Sequence, residues 1–232
     1  MLSINGFQKA FEYIDLIKQG MICTLSLSAL TVLFGFILAL VLAICRLSNF
    51  KVAKFLATVY VEVIRATPML VQLFIVYNIL LSGLSLPRFK LFGFIRFERF
   101  LPGVIALSLN SGAYLSEIIR SGIQSIDGGQ TEAARSLGMP QWQNMQLIVL
   151  PQAIKNILPA IANEFVTIIK ESAIVWTIGV ADIMAAVNAV KGGIYIIMEP
   201  LIVAAGIYFC LCFPTSKLIA YAERRMRRGD VR

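Results

Sequence analysis

An all-helical integral membrane fold is what this sequence predicts, and three observations carry it. Of its 232 residues, 58 % are hydrophobic and only 15 % charged, and the mean hydropathy is +0.79, well outside the range of soluble globular chains. Apolar runs recur at the length a helix needs to cross a hydrocarbon core, about 20 residues at 1.5 Å each. Where polar residues interrupt those runs they fall on single helical faces, as expected of helices that enclose something hydrated. No internal repeat and no flexible linker divides the chain, so residues 1–232 read as one membrane domain.

The first span, 21–45, contains no charge. It is too long for the apolar core of a signal peptide and the stretch before it mixes Glu12 and Asp15 with Lys9 and Lys18, so it reads as a retained helix. Residues 101–119 and 194–221 are further spans. Two others hold charge: 57–81 contains Glu62, Arg65 and Pro68, and 158–180 contains Asn163, Glu164, Lys170 and Glu171. A charge at mid-span costs about 2.5–3.5 kcal/mol on insertion scales, which is tolerable where it faces protein or water. Counting both gives five transmembrane helices.

Lysine and arginine bias sets the direction. With the C-terminus cytoplasmic, the inner side holds Arg46, Lys51, Lys54, Arg120, Arg135, Lys155 and Lys217, together with the tail arginines Arg224, Arg225, Arg227, Arg228 and Arg232. The outer side holds Lys9, Lys18, Arg88, Lys90, Arg96, Arg99 and Lys191, and the N-terminus is then outside. The stretch Arg88–Phe100 alternates aromatic with charged residues, which suits the outer interface and leaves room for a short strand pair.

Several function classes drop out. The net charge of +8 is concentrated after the last apolar run, where it marks a helix end held near anionic lipid; nucleic-acid binding is not indicated. The chain has no histidine, and its four cysteines, Cys23, Cys45, Cys210 and Cys212, form no CxxC pair; they read as small buried apolar side chains, not metal or disulfide partners. Without a metal-ligand spacing or a G-x-S-x-G nucleophile, a membrane enzyme is the weakest reading.

The polar stripes are the candidate path. On the fourth helix Asn156, Asn163, Glu164, Thr167, Lys170 and Glu171 share an arc of about 120° at 100° per residue. On the third, Asn110, Tyr114, Glu117 and Ser121 align, and on the second Glu62, Arg65, Met69 and Gln72, with a kink expected at Thr67–Pro68. Glu62/Arg65 and Glu117/Arg120 have i,i+3 spacing and read as structural ion pairs. Glu164 has no basic residue at i±3 or i±4 and calls for another helix, water or a cationic substrate group. The path residues are therefore Glu164, Asn163, Asn110, Tyr114 and Gln72.

The polar segment 127–151 carries the pattern E-A-A-x3-G-x9-I-x-L-P at Glu132, Ala133, Ala134, Gly138, Ile148, Leu150 and Pro151. Good helix formers over Gln130–Leu137 predict a helix ended by Gly138 in a left-handed cap, with Leu150–Pro151 starting a new one. This segment resembles the EAA loop of ATP-binding-cassette importer permeases of type I. The resemblance extends over Tyr60–Leu73, Ser108–Ile126 and Asn163–Ala173, which look like the second, third and fourth helices of polar amino acid permeases. It implies a five-helix permease subunit whose EAA helix docks on a separate ATPase. The implied assembly is two ATPase subunits, a second permease subunit (identical or not) and an external amino-acid-binding protein, in a bacterial cytoplasmic membrane. Departures are Ala66, where the family usually has threonine, glycine or serine, and a longer second loop, Leu86–Phe100.

No G-x-x-x-x-G-K-[ST] occurs in the chain, so ATP and Mg²⁺ are expected in the partner ATPase and no cofactor on this chain. Two rival classes are an ion-coupled secondary transporter, which would show inverted repeats, and a non-transporting scaffold, in which the stripes would be helix–helix glue.

Overall fold

The computed structural model describes residues 4–227, so Arg228 and Arg232 of the basic tail lie outside the described residues. The order is α1 (Ile4–Phe11), α2 (Ile14–Leu47), α3 (Lys51–Ala66), α4 (Met69–Gly83), β1 (Lys90–Leu91), β2 (Ile95–Arg96), α5 (Phe97–Gln124), α6 (Gly128–Ser136) and α7 (Gln141–Asn144). A π-helical turn (Met145–Val149), α8 (Leu150–Glu171), a 3₁₀ segment (Ser172–Ile178), α9 (Ile183–Ile194) and α10 (Met198–Arg227) complete it.

Among the described residues three helices are long and apolar enough to cross a membrane: Ile14–Leu47, the continuous rod Gln141–Ile178 and Met198–Met226; α3 with α4 forms a fourth, broken one. The expected span 101–119 lies in α5, which does not meet that measure by itself. The reason is its place. Ser108, Asn110, Ser111 and Ser116 are buried because α5 runs through the middle of the bundle, against α2, α3, α4 and α8. A helix sheathed by other helices has no need of a lipid-like surface.

α2 and α5 run parallel and close. With no hydrophobic driving force between helices in lipid, such pairs rely on small residues and interhelical hydrogen bonds. Here a Cβ on Gly35 would lie 3.2 Å from Ser111 Oγ, and one on Gly112 would lie 2.8 Å from Leu38 Cδ2. Ser108 Oγ donates to the Thr31 carbonyl at 3.4 Å. At the end of α2 the pair is locked by charge: Arg46 Nη1 lies 2.7 Å from Glu117 Oε2, and Arg120 grips the other Glu117 oxygen. Glu117/Arg120 is thus the expected i,i+3 pair with a third, long-range member. Glu62 and Arg65 do not pair: Arg65 instead lies over the Tyr114 ring, 5.5 Å from its centroid.

The expected kink at Thr67–Pro68 is a break of 112°. Pro68 has no N–H and forces Thr67 into extended backbone, φ −114° and ψ 145°. The carbonyls so orphaned are taken up by the Gln72 amide, which donates to Ile64 O at 2.7 Å and Thr67 O at 3.1 Å.

α9 (Ile183–Ile194) was not expected. Asp182 caps it, accepting from Ala185 N–H at 2.9 Å, and Thr24 Oγ1 accepts the Ile183 N–H at 3.3 Å, which ties the turn to α2. α10 lies at the periphery and begins at Met198. Cys210 is exposed on it, and Cys45 and Cys212 are half-buried, so of the four cysteines read as buried only Cys23 is so. The strand pair between α4 and α5 exists, with Lys90 opposite Arg96 and Leu91 opposite Ile95. Fully buried Ile95 pins it onto the core formed with Leu27 and Leu73.

Candidate functional site

Two polar regions stand out: a projecting helix and a cleft. The projecting helix is α6. Asp127 caps its start, its carboxylate accepting the Gly129 N–H at 3.1 Å. At its end Gly138 has φ +81°, and Met139 N–H bonds to Ala134 O while Gly138 N–H bonds to Arg135 O, both at 3.0 Å. These are the two bonds of a Schellman cap, and they need a left-handed residue, which glycine supplies without a Cβ penalty. Glu132 and Ala133 are exposed, whereas Ala134 is buried.

The next helix begins at Gln141, with Pro140 at its N-cap, ten residues before the restart expected at Leu150–Pro151. From there the rod is continuous to Ile178. Pro151 cannot donate to a carbonyl one turn back, and the helix accommodates it by widening: Leu150 N–H bonds five residues back to Met145 O. Ile148 and Leu150 are half-buried in and beside this π turn, and Pro151 is exposed. α6 is tied to the rod by Asn144 Nδ2 donating to Thr131 Oγ1 at 3.1 Å and by Gln152 Nε2 donating to Gln130 Oε1 at 2.6 Å. Sequence reasoning missed three large apolar side chains here, Leu137, Trp142 and Leu147, which are 88, 65 and 63 % exposed. The signal available was a tryptophan and leucines in an otherwise polar segment.

The cleft lies between α3–α4 and α8, with α5 as its floor. On α5, Asn110 turns toward α4: its Nδ2 donates to Gln72 Oε1 at 2.9 Å, and both residues are buried. These two predicted path residues meet each other. Gln72 is occupied on every side, by Asn110 and by the carbonyls of the α3 end, so it builds the wall of the cleft. Tyr114, one turn along, is 39 % exposed and carries Arg65 on its ring.

On the far wall, Asn163 is exposed and Glu164 half-buried. The register of α8 on α5 follows from two contacts. A Cβ on Gly122 would meet Ile157 Cγ1, and Asn156 Nδ2 donates to Ser125 Oγ at 3.3 Å. The helices are antiparallel, so moving seven residues along each sets Glu164 level with Leu115, beside Tyr114. Further along, Met69 of α4 and Lys170, Glu171 and Trp176 of the α8 rod line one cavity of about 460 Å³. The second stripe is split: Arg65 is exposed beside Tyr114, and Gln72 is buried. Among the described residues no group of histidine, cysteine, aspartate and glutamate is placed to hold a metal ion.

Comparison with known proteins adds the following. Residues 31–228 match the family described as binding-protein-dependent transport system inner membrane component. An arginine transport system permease protein, ArtQ of Bacillus subtilis (strain 168), is 42 % identical over 224 residues, 97 % of this chain and 98 % of that protein. A nopaline transport system permease protein, NocM of Agrobacterium fabrum, is 39 % identical over 202 residues, 86 % of this chain and 83 % of that protein. The crystal structure of an amino acid ABC transporter with histidines superposes with a TM-score of 0.87 at 44 % identity, covering 97 % of this chain and all of that one. The inward-facing MetNI methionine ABC transporter shares the fold, with a TM-score of 0.65 at 18 % identity over 94 % of this chain and 98 % of that chain.

Proposed function

This chain belongs to the binding-protein-dependent transport system inner membrane components, and on that premise we propose that it is the permease subunit of an ATP-driven amino acid importer. The amino acid class is supported by relatives whose names specify arginine and nopaline transport and by the likeness to an amino acid ABC transporter. The single observation that carries the coupling role is α6: a helix closed at both ends by its own caps, hydrogen-bonded to the α7–α8 rod and flanked by exposed Leu137, Trp142 and Leu147.

In this reading Glu132, Ala133, Ala134 and Gly138 sit in a groove of a separate ATPase, which binds ATP and Mg²⁺. Ile148, Leu150 and Pro151 join that handle to α8. Closure of two ATPase subunits moves two permease subunits between inward- and outward-open arrangements, with substrate delivered by an external binding protein. α6 then faces the cytoplasm of a bacterial cell, as does the C-terminal end of α10, and the N-terminal helix lies outside. Substrate passes through the cleft, where Glu164 takes its ammonium group and Asn163 and Tyr114 line the way; Asn110 and Gln72 hold the wall.

The test is reconstitution. The chain is purified from its native membrane with whatever accompanies it, placed in proteoliposomes, and assayed for uptake of labelled L-arginine, L-glutamine and L-histidine with and without ATP. The reading expects a nucleotide-hydrolysing companion and ATP-dependent accumulation of at least one. Uptake that ignores ATP and follows an ion gradient would replace it with a secondary transporter.

A further inference from the structure

We propose that the exposed face of the β1–β2 hairpin, with Lys90 and Arg96 at its centre, binds the phosphate of an anionic phospholipid in the leaflet opposite α6. This requires only that the bundle lies in a membrane; the importer reading adds that this leaflet is the outer one.

The hairpin stands at the level of lipid headgroups. Ile95 packs into one core with Leu27 and Phe100. At the other end, Arg46 is in the last turn of α2, and its partner Glu117 lies on α5 two turns before that helix leads to α6. From Leu27 to Arg46 is about 29 Å of helix, and from Phe100 to Glu117 about 26 Å. A hydrocarbon core is about 30 Å thick. The ion pair therefore marks one boundary of that core and the hairpin the other.

The two faces of the hairpin differ. Pairing sets Leu91 opposite Ile95 and Lys90 opposite Arg96, and successive pairs point to opposite sides. Ile95 is buried and Leu91 packs against the same core, whereas Lys90 and Arg96 are exposed. Side chains directly opposite one another have Cβ atoms about 4.5–5.5 Å apart, and like charges there are destabilising. Arg88, two residues before Lys90, is exposed as well. Among the described residues none of the three is in an ion pair. Arg99 is different, because its Nη1 donates to the Gly179 carbonyl at 3.3 Å and the fold occupies it. Two strands alone are marginal, and three cations gathered on them with no carboxylate call for an anion from outside the chain.

The neighbouring side chains identify that anion as a lipid's. Phe92, 74 % exposed, stands at the tip beside Gly93. Phe89 is also exposed and stacks on Phe97 with ring centroids 4.6 Å apart. Apolar rings beside basic groups at the membrane boundary suit acyl chain and phosphate respectively. Between the end of α4 and the start of α5 a cavity of about 480 Å³ opens beside Arg88, with Ser85 and Glu98 on its wall; these give headgroup hydroxyls a donor and an acceptor. A protein arriving from that side would meet another surface first. α2 continues from Leu27 back to Ile14, about 20 Å farther from the hydrocarbon, and α9 packs on that extension.

The experiment uses the complete transporter in phosphatidylcholine nanodiscs that carry a small fraction of photo-cross-linkable phosphatidylglycerol or, as neutral control, photo-cross-linkable phosphatidylcholine. Labelled peptides are identified by mass spectrometry. Wild type is expected to be labelled within residues 84–100 by phosphatidylglycerol and far less by the control. A basic residue near a membrane surface is worth about fivefold in partition. Lys90→Gln or Arg96→Gln should therefore lower that labelling about fivefold, and the double variant about twenty-fivefold. Labelling near Arg224 and Arg225 should stay at the wild-type level, and Lys90→Arg should keep the hairpin signal. In detergent free of anionic lipid the double variant should unfold at or above the wild-type temperature, because the like-charge pair is gone; a lower temperature would make the pair structural and overturn the proposal. It is also overturned if the hairpin does not distinguish the two lipids, if the double variant keeps the full signal, or if excess inorganic phosphate at matched ionic strength displaces the lipid. Unchanged lipid labelling with loss of the external binding protein, or of the second permease subunit, would assign the face to a protein instead. Absence of ATP-dependent import by wild type would overturn the importer reading and leave these ratios untouched.

Discussion

The projecting α6 and the central cleft are both polar, yet their polar groups are satisfied in opposite ways. The ends of α6 are closed by local hydrogen bonds: Asp127 caps residues just after it, and Gly138 closes the turn just before it. In the helix bundle that carries the cleft they are long-range. Asn110 meets Gln72 across 38 positions, Arg46 meets Glu117 across 71, and Thr24 receives the Ile183 N–H across 159. A region held by local bonds can project into water and present its side chains to another protein. A region held by distant bonds keeps its shape only while the whole bundle is assembled, which is what a gated path requires.

The comparison can be broken by mutation. The largest effect is expected for Glu117→Ala, which leaves Arg46, only 8 % exposed, without its carboxylate. Removing one member of a buried pair costs about 3–5 kcal/mol, and the loss should appear as a much lower unfolding temperature in detergent. Gly122→Ala comes next. Its new methyl would clash with Ile157 Cγ1, an overpacking worth about 1–3 kcal/mol, and it should loosen α8 from α5 as read by cross-linking between those helices.

Gln72→Leu keeps the volume but strands the Ile64 and Thr67 carbonyls and the Asn110 amide. A cost of about 1–3 kcal/mol is expected, with a changed angle between α3 and α4 measurable from spin-label distances. The smallest effect on the fold belongs to Gly138→Ala, which forces a methyl-bearing residue to φ +81° at about 1 kcal/mol. It should leave the unfolding temperature near wild type while reducing the amount of ATPase that copurifies. Should Gly138→Ala lower global stability as much as Glu117→Ala, the division into a locally held handle and a globally held cleft would be wrong.

Much of α6 was legible because capping is a local matter. Good helix formers over Gln130–Leu137 and a glycine after them sufficed to expect the helix and its left-handed end, whereas the Asp127 cap that starts it two residues earlier, at Gly128, was missed. The restart of the chain was misplaced because proline at 151 reads as a first-turn residue, whereas the π turn lets it sit inside a longer rod. The cleft was half legible. Helical periodicity put Asn110 and Tyr114, or Asn163 and Glu164, on common faces, but it could not say that Gln72 would be spent on the carbonyls of Thr67 and Ile64. That depends on the 112° break, and a break angle is set by what packs on both sides of it.

By itself the sequence determined the membrane class, most of the spans, the capped handle and the polar stripes, since these follow from hydropathy, helical period and short-range hydrogen bonding. Only the tertiary structure decided which stripe residues stand in the opening and which are walled in. Arg65 rests on Tyr114 and Gln72 is enclosed although the two are seven residues apart, because a proline between them turns the chain and α5 supplies a different neighbour to each.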